Sequence, residues 1–178
     1  KFRYMGFIDA DEFVYIRNSA DGGSNLYEFV DKFMKSHNNA GGIAINWCMF
    51  GSNGHITKPE GGVLENYTMR AEDNFLENFL IKTICDPMKV LGFVSVHYPI
   101  YCKGFRNLNE NGEIVHGPRT HEIHFSKIRI NHYFSKSREE YIAKRQRGRA
   151  DINIIRPMSD FDLNDKNDIY DTEILGFI

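Results

Sequence analysis

The chain has 178 residues, a formal net charge of −2 and a hydrophobic fraction of 42%. A chain of this length and composition can bury a core of its own, which excludes general disorder. The near-neutral charge excludes a global attraction to nucleic acid or to an anionic membrane. We therefore expect a single domain over residues 1–178, with residues 152–178 as a peripheral tail.

The cysteines and the hydropathy pattern predict the compartment. Cys48, Cys85 and Cys102 are odd in number and far apart, so they form neither a disulfide framework nor a metal-ligand spacing. No apolar run approaches the roughly 20 residues of a membrane span. These features predict a cytoplasmic protein without a transmembrane segment, and they leave open a peripheral position at the inner membrane.

An acidic pair follows the first apolar run of the chain. Residues 4–8 predict a short buried strand, and Asp9 and Asp11 come directly after it. Side chains at positions i and i+2 leave an extended chain on the same side. Both carboxylates could therefore bind one Mg²⁺ or Mn²⁺ beside a phosphate. The alternative is that they only end the strand and cap a turn.

The rest of the chain predicts alternating helices and strands. Hydrophobic spacing indicates a helix over residues 26–36 with Ser24 as its N-cap, and a second helix over 64–78. Asn111-Gly112 is typical of a hairpin turn, and Ser137 with Glu140 forms a capping box that opens a helix ending near Gly148. Strands are expected at the following positions: 14–16, 43–50, 81–84, 89–91, 94–96 and 100–103.

Several motifs in this order resemble those of GT-A-fold glycosyltransferases, close to the family 2 and family 92 types of bacterial sugar transferases. The residues that carry the resemblance span about positions 4 to 151. They are Asp9-Ala10-Asp11-Glu12-Phe13, Trp47 to Phe50 with Gly51-Ser52-Asn53-Gly54-His55, Lys82-Thr83-Ile84, Ile130 to Glu140, and Arg147-Gly148-Arg149-Ala150-Asp151. The fold this implies is α/β, a partial GT-A-like (Rossmann-like) mixed sheet flanked by helices.

The resemblance implies a divalent ion and a nucleotide-sugar. Asp11 is the expected direct ligand of Mn²⁺ or Mg²⁺, and Asp9 binds it directly or through water. His132, after a late strand, is the expected third ligand, with a buried structural imidazole as the alternative. Lys136 is expected to meet the diphosphate at a helix N-terminus.

The same resemblance implies an acceptor site. An aromatic ring packs against the apolar face of a sugar and small polar groups bind its hydroxyls, so Trp47, Gly51, Ser52 and His55 are the expected acceptor-binding residues. An inverting transferase needs a carboxylate base. Glu65 is the first choice and Asp73 the second, with Glu60 as a further alternative. Core packing and an ordinary helix surface are the competing interpretations.

The expected function is therefore inverting transfer of a sugar from a nucleotide-sugar to a saccharide acceptor, in surface polysaccharide synthesis. The nucleotide-binding half of such enzymes precedes the acidic motif and is absent here. We therefore expect this stretch alone to turn over poorly and its copies to associate as a homo-oligomer. The alternatives are a haloacid-dehalogenase-like phosphatase and an inactive fragment that acts as a binding module. A role in nucleic acid binding is disfavoured by the acidic net charge.

Overall fold

A computed structural model describes residues 2–17, 25–148 and 155–177. The chain divides into two compact units, one made of Lys1–Trp47 with Asn74–Ile130 and the other of Cys48–Asp73 with Asn131–Ile178. Its architecture is mixed α/β with few helices, as the coarse fold class anticipated. Among the described residues, no helix has the length and apolar character needed to cross a bilayer.

The elements of the described residues are as follows. The strands are β1 (Met5–Gly6), β2 (Glu12–Ile16), β3 (Ala40–Met49), β4 (Met69–Arg70), β5 (Ile81–Cys85), β6 (Val90–Ser95), β7 (Tyr98–Tyr101), β8 (Arg106–Leu108), β9 (Ile128–His132) and β10 (Ile169–Tyr170). The α-helices are α1 (Leu26–Ser36), α2 (Val63–Asn66), α3 (Arg138–Gln146) and α4 (Met158–Asn164).

The main sheet of the first unit is mixed. Its strand order is β1-β5-β3-β9-β2, and β8 also pairs with β3. Strand β5 is antiparallel to both β1 and β3, whereas β8 is parallel to β3. Because β5 has a neighbour on each side, its backbone is held along two edges, which makes it a rigid support for side chains.

Helix α1 forms where the hydrophobic spacing predicts it. Phe29, Val30 and Phe33 lie on its buried face. The N-cap is Asn25, whose side chain accepts a hydrogen bond from the Glu28 N–H at 3.0 Å. The helix therefore has the predicted bounds, and its cap is Asn25 in place of the expected Ser24, which lies outside the described residues.

Strand β3 begins earlier than the glycine content suggests. Gly41 and Gly42 lie within the strand. Both positions require glycine because the Tyr101 ring occupies the space that larger side chains would need. A Cβ at Gly41 would lie 2.3 Å from the Tyr101 ring, and one at Gly42 would lie 2.4 Å from its hydroxyl. Glycine here permits close packing of an aromatic ring on the backbone.

The predicted helix over residues 64–78 is wrong. Only Val63–Asn66 is α-helical, and Leu76–Phe79 forms a separate 3₁₀ turn. Between them Met69–Arg70 forms β4, which pairs antiparallel with Ile169–Tyr170. Pairing with a distant strand therefore overrides the helical periodicity.

Other predicted elements are confirmed. Gly112 adopts a φ of 84° in a turn closed by its N–H to the Asn109 carbonyl at 2.9 Å. Helix α3 has the expected capping box, with the Glu140 N–H donating to Ser137 Oγ at 3.2 Å and the Ser137 N–H to Glu140 Oε2 at 3.3 Å.

The second unit contains part of the segment that was expected to be a tail. Arg70 donates to Asp171 at 2.8 Å and to Asp73 at 2.6 Å. Phe161 of α4 is buried, with its ring 5.3 Å from that of Tyr141. The described part of residues 152–178 therefore contributes to the packing of this unit.

Candidate functional site

The acidic pair lies in a turn rather than at the end of a long strand. Strand β1 covers only Met5–Gly6 at the edge of the sheet, and Phe7 and Ile8 are 43% and 38% exposed, so the predicted buried strand over 4–8 is wrong. Asp9 and Asp11 belong to the connection that leads into β2. An edge strand pairs with only one neighbour, and β1 ends after two residues, before the turn that contains Asp9 and Asp11.

Glu12 closes this turn through its backbone and its side chain. The Glu12 N–H donates to the Asp9 carbonyl at 3.0 Å, and the Asp9 N–H donates to Glu12 Oε2 at 3.1 Å. The two residues therefore satisfy each other's backbone groups across the turn. We call residues 9–12 the acidic turn.

A buried lysine lies beneath the acidic turn. Lys82 Nζ on β5 is 2.9 Å from Asp9 Oδ2 and 3.5 Å from Glu12 Oε2. The side chains of Lys82 and Glu12 are 1% and 0% exposed, whereas that of Asp9 is 63% exposed. Burial raises the pKa of Glu12 to about 7, although Lys82 and the Asp9 N–H act in the opposite direction. One ammonium thus joins a hidden carboxylate to an exposed one.

The acidic turn offers a partial set of ligands for a hard cation. Asp9 is exposed and Asp11 is partly exposed, and carboxylate oxygens suit Mg²⁺ and Mn²⁺. Within residues 2–17, 25–148 and 155–177, no group of three or more His, Cys, Asp or Glu side chains is arranged to hold a metal. The acidic turn therefore presents two carboxylates with exposed surface, and a metal ion bound there stays a prediction.

His132, the expected third ligand, belongs to the second unit. It is the last residue of β9 and is 5% exposed. Its carbonyl accepts the Phe50 N–H at 3.0 Å, and its ring lies 5.8 Å from the Phe134 ring in a T-shaped arrangement. Its role as a ligand stays a prediction.

Trp47, the expected sugar platform, is a buried residue of the first unit. It is 8% exposed, and its ring lies edge-on to His97 at 5.2 Å. This packing is what a core tryptophan shows, and a role in acceptor binding stays a prediction.

The other expected acceptor residues share one loop of the second unit, residues 51–55. Asp165 accepts from the Ser52 N–H at 2.6 Å and from Ser52 Oγ at 3.0 Å. Asn167 Oδ1 accepts the Asn53 N–H at 2.7 Å. We call residues 51–55 the glycine loop; its amides are bound by side chains from more than 100 positions further along the chain.

Gly51 and His55 mark the two ends of the glycine loop. A Cβ at Gly51 would lie 2.2 Å from the Lys166 carbonyl oxygen, so only glycine fits there without displacement. The His55 ring is half-buried and meets the Tyr67 ring edge-on at 5.7 Å. The loop therefore has a defined shape with one accessible imidazole.

Lys136, the expected diphosphate residue, has an unusual backbone. Its φ of 51° is in the left-handed region, directly before the N-cap Ser137. The start of α3 already has an anion, because Glu140 accepts from Tyr67 Oη and from Ser137 Oγ. Despite opposing desolvation, these bonds lower the pKa of Glu140. Phosphate binding by Lys136 stays a prediction.

Both candidate bases have partners in the second unit. Glu65 is exposed on the short α2 and accepts the Gly62 N–H at 3.0 Å. Asp73 is 67% exposed and pairs with Arg70 at 2.6 Å. The alternative, Glu60, is also exposed. These contacts give Glu65 and Asp73 a local structural role, and neither carboxylate is buried beside a second acid.

No protein-family model matches the chain, and no curated protein matches it either. The resemblance to glycosyltransferases therefore depends on the quoted motifs alone. Arg149, Ala150 and Asp151, the end of the last motif, lie outside the described residues.

Sequence reasoning missed the residues that hold the acidic turn and the glycine loop. Lys82 belongs to one of the motifs that resemble a glycosyltransferase, but the sequence alone indicates no role for it. A lysine inside the apolar run of β5 is itself a signal, since buried lysines are almost always paired. Asp165 and Asn167 carry no comparable signal, because short polar residues are common in any acidic terminal segment.

Proposed function

We propose that the chain is the acceptor-side part of a metal-dependent inverting glycosyltransferase with a GT-A-like sheet. It transfers a sugar from a nucleotide-sugar to a saccharide acceptor in surface polysaccharide synthesis. The observation that supports this most is the acidic turn, where the exposed Asp9 is bound from below by the buried Lys82–Glu12 pair. Burying such a pair is costly, and groups of this kind cluster at functional sites.

Each carboxylate of the turn has a part in this proposal. A bound Mn²⁺ or Mg²⁺ supplies positive charge where the leaving diphosphate becomes negative. Asp11 would ligate that ion directly, and Asp9, with one oxygen engaged by Lys82, would bind it directly or through water. A part for His132 as a third ligand and for Lys136 at the diphosphate stays a prediction, since both residues belong to the second unit.

The acceptor side is proposed on the glycine loop. Backbone and small polar groups of residues 51–55, together with His55, would bind sugar hydroxyls, while a part for Trp47, which belongs to the first unit, stays a prediction. A carboxylate, Glu65 or Asp73, would take the proton from the acceptor hydroxyl, whose oxygen displaces the nucleoside diphosphate from the anomeric carbon in one step and so inverts it.

The phosphatase alternative gains no support. A haloacid-dehalogenase-like enzyme places a helix soon after its acidic pair. Here β2 follows Asp11 directly, and the first described helix begins at Leu26. The binding-module alternative differs from the proposed transferase in that it binds saccharide without turnover.

The test is nucleotide release from a panel of UDP- and GDP-sugars in the presence of oligosaccharide acceptors, measured on a protein that joins this acceptor-side part to a nucleotide-binding half. We expect release to require a divalent ion and to fall at least tenfold, on the order of a lost metal ligand, in Asp11→Asn and in His132→Ala. Asp86→Asn is the matched control, since asparagine also caps the short turn that Asp86 opens. Release that is indifferent to the ion and to both residues would contradict the mechanism. Phosphomonoester hydrolysis would favour the phosphatase, and saccharide binding without turnover would favour the binding module.

A further inference from the structure

The Lys82 contacts go beyond what a structural ion pair needs. If Lys82 served only the core, its shorter contact would be with the fully buried Glu12. Instead the ammonium is 2.9 Å from Asp9, which is 63% exposed, and 3.5 Å from Glu12, which is 0% exposed. The stronger hydrogen bond thus points outward to the acidic turn.

We propose that Lys82 is the positioning residue of the acidic turn and acts through Asp9. It fixes the Asp9 carboxylate, and with it the turn, in the shape that receives a nucleoside diphosphate and its divalent ion. The proposal rests on the proposed function and adds Lys82 to the residues that carry it.

The strand that carries Lys82 is paired with β3 at this position and with β1 two residues further along. The Lys82 Cα is opposite Ile45 in the β3–β5 ladder, and the other edge of β5 pairs with β1 through Gly6↔Ile84. A side chain on a strand with two neighbours has a fixed origin, and full burial limits the rotamers it can adopt. The position of the ammonium is therefore set by the sheet and not by the turn it holds.

Glu12 explains how a buried ammonium is tolerated at this place. Its side chain faces Lys82, and its Oε2 also accepts the Asp9 N–H at 3.1 Å. An apolar pair of similar volume at these positions would be about as stable. Stability alone therefore gives no reason for the charges, whereas holding an exposed carboxylate requires a cation.

The test is a double-mutant cycle in which binding of UDP with Mn²⁺ is measured by titration calorimetry. The cycle is measured with Glu12 intact and again with Glu12→Gln, so that neither a carboxylate nor an ammonium left without its counter-charge decides the result alone. Lys82→Met is then made with Asp9 intact and with Asp9→Asn. A residue that acts through another has no further effect once that other residue is removed.

We expect Lys82→Met to weaken binding of Mn²⁺ with UDP by about tenfold when Asp9 is present, and by less than about twofold in Asp9→Asn. Equal losses in both backgrounds would show a general effect of charge and would overturn the proposal, as would no loss in either. Should Lys82→Met prevent folding, Lys82→Gln takes its place in the cycle.

A second readout separates this proposal from the proposed function. Amide hydrogen exchange at position 12, whose N–H is bound to the Asp9 carbonyl, reports the turn without any ligand. We expect Lys82→Met in the Glu12→Gln background to speed exchange there by about tenfold and to leave the β3–β5 ladder unchanged. If the natural protein binds no UDP with Mn²⁺, the proposed function fails. The positioning role of Lys82 fails separately if Lys82→Met leaves amide exchange at position 12 unchanged.

Discussion

The acidic turn of the first unit and the glycine loop of the second are held in different ways. The turn depends on charge, because one buried ammonium joins two carboxylates. The loop depends on neutral backbone donors that meet Asp165 and Asn167. Both anchors come from residues far along the chain, 73 positions away for Lys82 and Asp9 and 113 for Asp165 and Ser52.

The difference shows what each loop can tolerate. A buried charge that loses its partner carries a larger desolvation penalty than a buried neutral donor that loses its acceptor. The acidic turn should therefore fail abruptly when its anchor is changed, and the glycine loop should loosen by degrees. The following predictions test that contrast.

The largest effect is expected from Lys82→Met in the otherwise natural chain. The variant leaves Glu12 fully buried without its cation, and breaking such a pair costs about 3 kcal/mol or more of unfolding free energy. Urea unfolding of the variant and of the natural chain measures this loss of unfolding free energy. Lys82→Met with Glu12→Gln, which removes both charges, should recover most of the loss. If the double variant is as unstable as the single one, the charge interpretation is wrong.

A smaller effect is expected from Gly51→Ala. The new Cβ would lie 2.2 Å from the Lys166 carbonyl oxygen and 2.5 Å from Asn167 Oδ1, so the segment opposite the loop must move. Overpacking of this kind costs about 2 kcal/mol. Gly92→Ala is the control, since nothing lies within 4 Å of a Cβ built there. Equal midpoints of thermal unfolding for the two variants would contradict the packing at Gly51.

Asp165→Ala should loosen the glycine loop more mildly. It removes the acceptor of the Ser52 N–H and hydroxyl, and Ser52 is 2% exposed, so we expect a loss of about 1 to 2 kcal/mol. Asp168→Ala is the matched control, because that exposed side chain accepts one long bond of 3.4 Å. Urea unfolding in which the control loses as much as Asp165→Ala would argue against this anchor.

The smallest effect concerns pH. Burial lowers the pKa of His97 from its ordinary 6.5, with Lys82 adding to the shift and the Ile81 carbonyl and Asp9 opposing it. At His97 the folded protein therefore binds fewer protons than the unfolded chain below pH 6.5, and the contribution of His97 to stability should fall as the pH decreases through that value, whereas the raised pKa of Glu12 acts in the opposite direction. His97→Gln should remove the His97 contribution from the slope of stability against pH, while the exposed His116→Gln should not change that slope. Identical slopes for all three proteins would contradict the burial effect.

The sequence predicts local structure well where local forces decide it. Helix α1, the capping box of α3 and the turn at Gly112 follow from hydrophobic spacing and turn chemistry within a few residues. It fails at residues 64–78, where β4 pairs with a strand 100 positions away. The same limit applies to the site. Asp9 and Asp11 are recognisable from their spacing, but the Lys82 anchor depends on the order of strands in the sheet, which no local pattern specifies.

The central claim is that the acidic turn binds a divalent ion together with a nucleoside diphosphate. Titration calorimetry of Mn²⁺, with and without UDP or GDP, tests it most directly on the natural chain, Asp11→Asn and the control Asp86→Asn. We predict that a nucleoside diphosphate strengthens Mn²⁺ binding, that Asp11→Asn weakens it by about tenfold or more, and that Asp86→Asn changes it by less than about twofold. Unchanged binding in Asp11→Asn would contradict the claim.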